Sequence, residues 1–221
     1  MLEQSSLNQQ DLFSTTSNSR KLANGDTRQV IEIDDGELYY YPRWLPKAEA
    51  DQYYNDLLQA VVWQQTYITL YGKTLPVPRL NAWYGDIGSI YTYSGARFTP
   101  LPWLVQLGEL RTRLHSLGYV FNSALANYYR NGADSVAWHS DDEPELGDDP
   151  VVAAITLGQP RRFMLRHRTR DLPTLTLTPE HGSLLVMGGS MQRHWHHQVP
   201  KTQQMIGGRI NITFRQIKHS Q

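Results

Sequence analysis

The residues with the clearest chemical potential lie in two separated parts of the chain. His139 and Asp141 are two positions apart, and three histidines cluster downstream at His194, His196 and His197. Residues two apart in an extended strand project from the same face, so one short segment can offer an imidazole and a carboxylate to one metal ion. Two histidines and one carboxylate form the ligand set of non-haem iron(II) sites. Spacing does not choose the third ligand, because alternation would place His194 and His196 on one face and His197 on the other.

A second pattern lies near the end of the chain. Arg209 and Arg215 are six residues apart, which in a strand places both on one face together with Asn211 and Thr213. A planar guanidinium binds a carboxylate through two parallel hydrogen bonds, so two of them suit a dicarboxylate. The alternative is a pair of surface salt bridges, which the upstream histidines make the weaker interpretation. Two more hydrogen-bonding residues are spaced to share one face of another strand, Asn127 and Tyr129.

Composition narrows the chemistry. The chain has 221 residues, enough for one sizeable core, and no cysteine. Disulfides, thiolate zinc sites and iron–sulfur clusters are therefore excluded, which leaves imidazole and carboxylate as the strong metal ligands. No apolar run is long enough to span a bilayer, and the N-terminus lacks the pattern of a signal peptide. We therefore expect a protein of the cytoplasm, in a bacterium of the cytoplasm and nucleoid, that has no contact with a membrane. A monomer is the simplest expectation for its oligomeric state.

Charge is balanced overall but unevenly distributed. Residues 1–60 hold five Lys/Arg against ten Asp/Glu, so the rest of the chain is basic. The densest basic cluster contains five arginines, namely Arg161, Arg162, Arg166, Arg168 and Arg170. A nucleic-acid-binding face is one interpretation of this cluster, and a solvated hairpin is the other.

The hydrophobic pattern predicts the elements that must position these residues. Residues 1–28 are poor in large apolar groups and are predicted to be a disordered tail before one folded domain over 29–221. The N-terminal part, 29–123, is predicted to hold an aromatic strand at Glu37–Tyr41 and two helices, at Pro46–Val62 and Pro102–Gly118. A hairpin is predicted at Thr66–Trp83, with its turn at Gly72-Lys73. The strands predicted after it are Ala124–Arg130, Val151–Leu157, Arg162–Arg168, Thr174–Leu177, Ser183–Met187, Trp195–Val199 and Arg209–Arg215. So many short strands indicate a mainly β fold with a jelly-roll core over 124–217.

These motifs together resemble the AlkB family of nucleic-acid dealkylases, most closely its small homologues that act on duplex DNA. The similarity covers roughly residues 66–217. Its markers are Tyr84-Gly85-Asp86, Tyr91-Thr92-Tyr93-Ser94-Gly95, Asn127-Tyr128-Tyr129, His139-Ser140-Asp141-Asp142-Glu143, His181-Gly182-Ser183-Leu184-Leu185, His197 and Arg209-Ile210-Asn211-Ile212-Thr213-Phe214-Arg215. The fold that this resemblance implies is a double-stranded β-helix with an N-terminal nucleotide-recognition lid.

The resemblance also implies an assignment of the site. Iron(II) would be held by His139, Asp141 and His197. The cosubstrate 2-oxoglutarate would be bound by Asn127, Tyr129, Arg209, Asn211, Thr213 and Arg215. With dioxygen, such a site oxidises the N-alkyl carbon of a damaged base, and the implied substrates are 1-methyladenine and 3-methylcytosine in duplex or single-stranded DNA.

The substrate contacts implied by the resemblance lie around the site. Tyr93 resembles an aromatic residue that stacks on the flipped base, with Tyr91 and Ser94 beside it, and Asp142 and Glu143 would meet the charge or exocyclic amine of that base. The hairpin finger around Tyr71, Gly72 and Lys73 would fill the gap left in the duplex, because stacking of a base on an aromatic contributes about 1–3 kcal/mol. Contacts to phosphates or to the orphan strand are expected from Arg79, Arg161, Arg162, Arg166 and Arg168.

Three alternatives remain open at this point. The same chemistry could act on RNA, the chain could be a non-catalytic reader of alkylated DNA, or the scaffold could hydroxylate a small molecule or protein. The finger and the arginine-rich hairpin argue against a small-molecule or protein hydroxylase. A non-catalytic reader would need a broken ligand set, and no ligand position is visibly broken. The tail segment Gln9-Gln10-Asp11-Leu12-Phe13 resembles the peptide by which bacterial repair proteins bind the sliding clamp, with Gln9, Leu12 and Phe13 as contacts; a chance match is the competing interpretation.

Overall fold

Two facing antiparallel sheets form the framework of the protein. The computed structural model describes residues 20–21, 27–70, 72–89, 91–93 and 96–218. The helices are α1 (Lys47–Ala60), α2 (Val105–Ser116) and α3 (Met191–His194). The strands are β1 (Arg20–Lys21), β2 (Thr27–Ile31), β3 (Glu37–Tyr41), β4 (Tyr67–Leu70), β5 (Lys73–Pro76), β6 (Leu80–Gly85), β7 (Tyr91–Tyr93), β8 (Ala96–Phe98), β9 (Ser123–Tyr129), β10 (Val136–His139), β11 (Val152–Gly158), β12 (Phe163–His167), β13 (Leu175–Leu177), β14 (Ser183–Gly188), β15 (Trp195–Val199) and β16 (Arg209–Arg215).

The order of the strands is that of a jelly roll. The larger sheet runs β1-β2-β3-β14-β11-β16-β9-β6, and the smaller runs β10-β15-β12-β13. The hairpins β4–β5 and β7–β8 each form a two-stranded sheet of their own. The arrangement agrees with the mainly β, double-stranded β-helix prediction, and the seven strands predicted after residue 123 are all present, with no end shifted by more than one residue.

Alternation along β16 separates the core from the interior of the roll. Ile210, Ile212 and Phe214 are fully buried and belong to the cluster that packs the larger sheet against α1 and α2. The remaining four residues point into the space between the sheets and are also buried, namely Arg209, Asn211, Thr213 and Arg215. Burying such polar groups is costly unless they find partners, so this inner face is a candidate binding surface and not part of the apolar core.

The two longer helices, α1 and α2, cover the outer face of the larger sheet. Leu107, Leu110 and Leu114 of α2 are completely buried in this cluster. Pro46 immediately precedes α1, where a missing N–H costs nothing. Within the described residues, no helix is both long enough and apolar enough to cross a membrane.

Two predicted boundaries were wrong. Strand β2 begins at Thr27 and pairs with β3, so the end of the predicted tail belongs to the sheet. The hairpin ends at Pro76, and Leu80 to Trp83 instead pair with β9 in the larger sheet. Pro76 and Pro78 explain this break, since proline cannot donate to a strand ladder.

Gly158 gives the fold a testable constraint close to the interior face. It ends β11 opposite Arg209, with φ of 85°, and a Cβ there would lie 2.5 Å from the Gly208 carbonyl oxygen. We expect Gly158→Ala to lower the free energy of unfolding by about 2–4 kcal/mol, from left-handed strain and overpacking together. Urea unfolding measures the change. Gly108→Ala, in α2 with nothing within 4 Å of the new Cβ, should instead raise it by about 0.5–1 kcal/mol; equal losses at both sites would contradict the prediction.

Candidate metal centre and adjoining cavities

Three ligand-bearing side chains meet between the sheets. His139 ends β10 and is paired directly with His197 of β15. Their ring centroids are 4.2 Å apart, and Nε2 of His197 lies 4.0 Å from Oδ2 of Asp141. The candidate ligand atoms of all three residues lie within 4.8 Å of one another. Pairing of distant strands therefore assembles a two-histidine, one-carboxylate cluster.

The structure also decides between the downstream histidines. His197 is buried and points to the interior, whereas His196 is half-buried opposite Arg166 on the outer side of β12. His194 lies in α3, where its ring stacks near that of His167. Of these three histidines, which all belong to the described residues, His197 is the one that faces Asp141.

The donor atoms of this cluster fit a divalent cation such as iron(II). Oδ1 of Asp141 accepts a 2.7 Å bond from Arg215, but Oδ2 is buried with no hydrogen-bond partner among the described residues. Nδ1–H of His139 donates to the carbonyl of Ala137 at 2.9 Å, because a carbonyl can only accept. This bond leaves Nε2 of His139 with a lone pair, as metal-bound histidines require. An unsatisfied buried carboxylate oxygen beside two imidazoles is well matched to a cation.

The protonation states agree with that fit. Burial opposes the charged form of Asp141, but the charges of Arg215, His197 and His139 outweigh it and lower the pKa of Asp141 to about 2. Burial lowers the pKa of His197 to about 3 and also lowers the pKa of His139. At neutral pH all three groups are therefore deprotonated and able to bind a metal.

A second histidine cluster lacks this property. Asp35, His167 and His194 also have candidate ligand atoms within 4.8 Å of one another. However, Nδ1 of His167 accepts backbone N–H bonds from Thr169 and Arg170, so its proton must be on Nε2, which donates to Asp35 at 3.2 Å. Neither nitrogen of His167 then offers a lone pair, and the cluster is a hydrogen-bonded support for the turn between β2 and β3.

The position of Asp141 depends on a residue that sequence reasoning missed. Gln192 of α3 is almost completely buried, and its Oε1 accepts the backbone N–H of Asp141 at 3.0 Å. Ser140 adds a bond from its hydroxyl to the carbonyl of Trp195 at 2.9 Å. These bonds attach the segment after β10 to the start of β15. No pattern in the sequence identifies Gln192, because the contact joins residues far apart in the chain.

A small cavity beside the metal cluster contains the predicted anion clamp. Its volume is about 50 Å³, and it is lined by Arg209, Asn211, Thr213 and Arg215 of β16, by Asn127 and Tyr129 of β9, and by the three candidate metal ligands. The structure thus brings together all six residues predicted to bind a dicarboxylate. Thr156 also lines this cavity, and sequence reasoning missed it.

Arg209 places a buried positive charge in the wall of this cavity. Its Nη2 donates to Thr156 at 3.0 Å and to Asn211 at 2.8 Å, whereas its Nε and Nη1 are buried with no partner among the described residues. Burial lowers the pKa of Arg209 to about 10, so it is still a cation at neutral pH. A buried guanidinium with two unused donors in a cavity is suited to a carboxylate that binds there.

A second cavity lies on the other side of the metal cluster. It has a volume of about 130 Å³ and shares Arg79, Leu125, His139, Asp141 and Arg215 with the first. Its other walls come from β6 and from the segments beside the β4–β5 hairpin and β8, with Gln64, Thr66, Val77, Asn81, Ala82, Trp83, Thr99 and Leu101. Two adjoining cavities therefore meet at the metal cluster, where His139 and Asp141 line both of them.

The prediction that Arg79 and Arg161 contact DNA at the surface was wrong, because both side chains are buried. Arg161 is 4% exposed, and its guanidinium donates to the carbonyls of Asn131, Asp134 and Pro200. Arg79 is buried too; its Nε donates to Oδ1 of Asn127 at 2.7 Å, and it lines both cavities instead of a phosphate-binding surface. Strand alternation explains Arg161, since it shares the inward face with Phe163.

The other arginines of this hairpin are on the outer face of the smaller sheet. Arg162, Arg166 and Arg168 are exposed. The guanidinium of Arg166 lies 4.4 Å from the ring centroid of Trp138, and Arg168 donates to Asp142 at 2.9 Å. Asp142 is therefore an exposed, ion-paired residue that lines neither cavity, contrary to its predicted role at the base.

The remaining predicted contacts are less defined. Glu143 is half-buried and lines neither cavity. Gly72 and Lys73 are exposed at the end of the β4–β5 hairpin, with Gly72 at φ of 75°. Lys73 already belongs to β5 and pairs with Leu70, so the turn ends at Gly72 and not at Lys73 as predicted. Tyr71, Ser94 and the side chains of Tyr91 and Tyr93 lie outside the described residues, and so do Gln9, Leu12 and Phe13.

Comparison with known proteins supports the chemistry that this arrangement suggests. The profile of the 2OG-Fe(II) oxygenase superfamily matches residues 37–215. Alpha-ketoglutarate-dependent dioxygenase alkB homolog 3 of Rattus norvegicus is 40% identical over 187 residues, which are 80% of this chain and 63% of the relative. DNA oxidative demethylase ALKBH2 of Mus musculus is 37% identical over 182 residues, 77% of this chain and 76% of that protein. The chain thus spans less than two thirds of the rat protein.

A solved structure shows the shared fold at low identity. A prolyl hydroxylase from Trichoplax adhaerens, in complex with a peptide of hypoxia inducible factor, superposes with a TM-score of 0.57 at 14% identity, and the match covers 84% of each chain. Such a likeness concerns the architecture alone.

Proposed function

The chain belongs to the 2OG-Fe(II) oxygenase superfamily and, within it, to the AlkB family, and on this premise we propose that it repairs alkylated DNA by oxidative removal of N-alkyl groups. The observation that carries the proposal is the metal cluster between two cavities, one of which contains a buried Arg209 with unused donors. The relative of 37% identity that is named as a DNA oxidative demethylase also supports the proposal.

The reaction divides between the bound cofactor and the residues of this chain. Iron(II) held by His139, Asp141 and His197 would activate dioxygen, so that 2-oxoglutarate gives succinate and carbon dioxide while one oxygen atom is inserted into a C–H bond of the N-alkyl group. The hydroxylated alkyl group would then lose its hydroxyl proton to solvent and leave as an aldehyde, while the ring nitrogen regains the electron pair of the broken C–N bond. Arg209 binds a carboxylate of 2-oxoglutarate, and Arg215 keeps Asp141 charged and oriented.

The second cavity would receive the damaged base. A base in a duplex must leave the stack before its alkyl carbon can reach the metal. His139 lines this cavity and offers one stacking surface, and Tyr93 would supply the other. Tyr71, which lies between β4 and β5 in the sequence, would fill the gap in the duplex.

The decisive experiment is a mass measurement of oligonucleotides after incubation with the protein, iron(II), ascorbate and 2-oxoglutarate. We expect loss of the methyl group from 1-methyladenine or 3-methylcytosine in DNA, with none lost by His139→Ala. Matched RNA tests the alternative substrate, and Tyr71→Ala should reduce repair of duplex more than of single strands. Release of succinate without demethylation of any of these substrates would contradict the proposal.

We also propose that the exposed arginines Arg162, Arg166 and Arg168 bind the phosphate backbone. Replacing all three by glutamine should weaken binding to undamaged DNA at every sequence and reduce the slope of log Kd against log salt by about one for each phosphate that is no longer neutralised. Fluorescence anisotropy at several salt concentrations measures both. Arg113→Gln, on the helical side of the larger sheet, is the matched control. An unchanged slope in the triple variant would show that DNA binds elsewhere.

The tail motif is a separate proposal about a partner. A peptide containing Gln9, Leu12 and Phe13 should compete with known ligands of a sliding clamp from the same organism. Replacing Leu12 and Phe13 by alanine should abolish the competition, and an inactive parent peptide would rule the motif out.

A further inference from the structure

The wall of the second cavity contains an amide with a fixed orientation. Asn81 of β6 and Thr66, just before β4, both line this cavity together with His139. The hydroxyl of Thr66 donates to Oδ1 of Asn81 at 2.6 Å. This bond holds the acceptor end of the Asn81 amide, so its NH₂ end is the part that remains to bind a ligand. Asn81 is half-buried, so the amide is held inside the wall and still reaches the cavity.

The other polar groups in this cavity include further donors. Arg79 and Arg215 line it, and Gln64, Thr66 and Thr99 can both donate and accept. The carboxylate that lines it belongs to Asp141, which is bonded to Arg215 and is a candidate metal ligand. Val77, Ala82, Leu101 and Leu125 make most of the remaining surface apolar. A flat ring that enters this space therefore meets hydrogen-bond donors on the β6 wall.

The two expected lesions differ at the atom that would meet those donors. The alkylated nitrogen has to face His139 and Asp141, so its two neighbouring ring positions face the cavity walls. In 3-methylcytosine one neighbour is a carbonyl, C2=O, and the other carries the amine. In 1-methyladenine the carbonyl is replaced by a C–H group, which accepts no hydrogen bond.

We propose that Asn81 is a specificity-determining residue that donates to the carbonyl oxygen beside the alkylated nitrogen, so that the site prefers 3-methylcytosine to 1-methyladenine. The inference rests on the proposed function and names the class of base that the second cavity takes: one with a carbonyl next to the N-alkyl group. A site built to donate to a substrate atom discriminates against an analogue without that atom, because its own donor is then left buried and unpaired. Arg79 adds to the preference, since a cation favours a carbonyl oxygen over a C–H edge.

The test compares kcat/KM for the two lesions in otherwise identical single-stranded DNA. We expect the wild-type ratio to favour 3-methylcytosine and to fall about tenfold in Asn81→Ala, through loss of 3-methylcytosine repair with little change for 1-methyladenine. Asn81→Asp keeps the acceptor for Thr66 and the shape of the side chain but removes the donor, so its ratio should fall as well. Asn55→Ala, an exposed asparagine of α1, should keep the wild-type ratio.

The outcomes separate this inference from the proposed function. If the wild-type protein repairs neither lesion, the proposed function fails and the inference with it. If it repairs both and the Asn81 variants keep the wild-type ratio, the function stands and the role of Asn81 is wrong. A parallel loss for both lesions in Asn81→Ala would also overturn it, because that result describes support of the wall and not recognition of a carbonyl. Succinate release without DNA, and a thermal melt, check that each variant keeps its fold and metal site.

Discussion

Replacing Arg209 with methionine should raise the KM for 2-oxoglutarate by about 100-fold or more while leaving the ligand-free protein nearly as stable as before. The first effect follows because truncating one partner of a buried, hydrogen-bonded charge pair costs about 2–5 kcal/mol. The second follows because Arg209 is buried with Nε and Nη1 unpaired, so the folded protein already bears the cost of an uncompensated cation. Methionine removes that cost along with the bonds to Thr156 and Asn211, and we expect a net change within about 1 kcal/mol.

Thermal unfolding with and without 2-oxoglutarate distinguishes these effects. A ligand at 100 times its Kd stabilises the folded state by about 2.7 kcal/mol, and this gain should vanish in the variant. Arg162→Met removes an exposed arginine and should change neither the KM nor the ligand-induced gain. If the Arg209 variant unfolded at a much lower temperature and still gained stability from 2-oxoglutarate, the guanidinium would stabilise the fold and not bind the cosubstrate.

Replacing Asp141 with asparagine should abolish iron(II) binding and also destabilise the metal-free protein. The carboxylate is almost fully buried and forms a 2.7 Å ion pair with Arg215, whose side chain is equally buried. Removing one charge of such a pair leaves the other buried without its counter-charge, at a cost of about 3 kcal/mol or more. Anaerobic calorimetric titration with iron(II) measures the first effect, and urea unfolding in a chelator measures the second.

The neighbouring carboxylate supplies the control for this experiment. Asp142 pairs with Arg168 at the surface, where both side chains are more than a third exposed. Such pairs contribute about 0–1 kcal/mol, so Asp142→Asn should leave both iron binding and stability close to those of the wild type. If Asp141→Asn still bound iron as tightly as Asp142→Asn, the proposed ligand set would be incorrect.

The sequence was most informative where one strand carries a whole pattern. Alternation along residues 209–215 correctly placed both arginines, Asn211 and Thr213 on one face, because the period of a strand is local information. That both faces of this strand are buried became clear only from the structure, because the burial depends on helices that lie far away in the chain.

Contacts between distant segments were beyond local patterns. Spacing alone could not separate His197 from its neighbours; the family resemblance selected it, and the pairing of β10 with β15 places it opposite His139. Arg161 could not be separated from Arg162 until the register of β12 was known. Gln192, Thr156 and Asn81 went unnoticed for the same reason: each acquires its role from a partner on another element. A single glutamine or threonine has no spacing that would identify such a role.

The separation of the two small hairpins from the large sheets has an evolutionary consequence. Among the described residues, β4–β5 and β7–β8 share no strand ladder with the framework that carries the metal cluster. Substitutions or insertions in them therefore change the surface offered to a nucleic acid without disturbing the registers that hold His139, His197 and Arg209. Under the proposed function, descendants of such a chain can exchange one target strand or lesion for another while the oxidation chemistry is inherited intact.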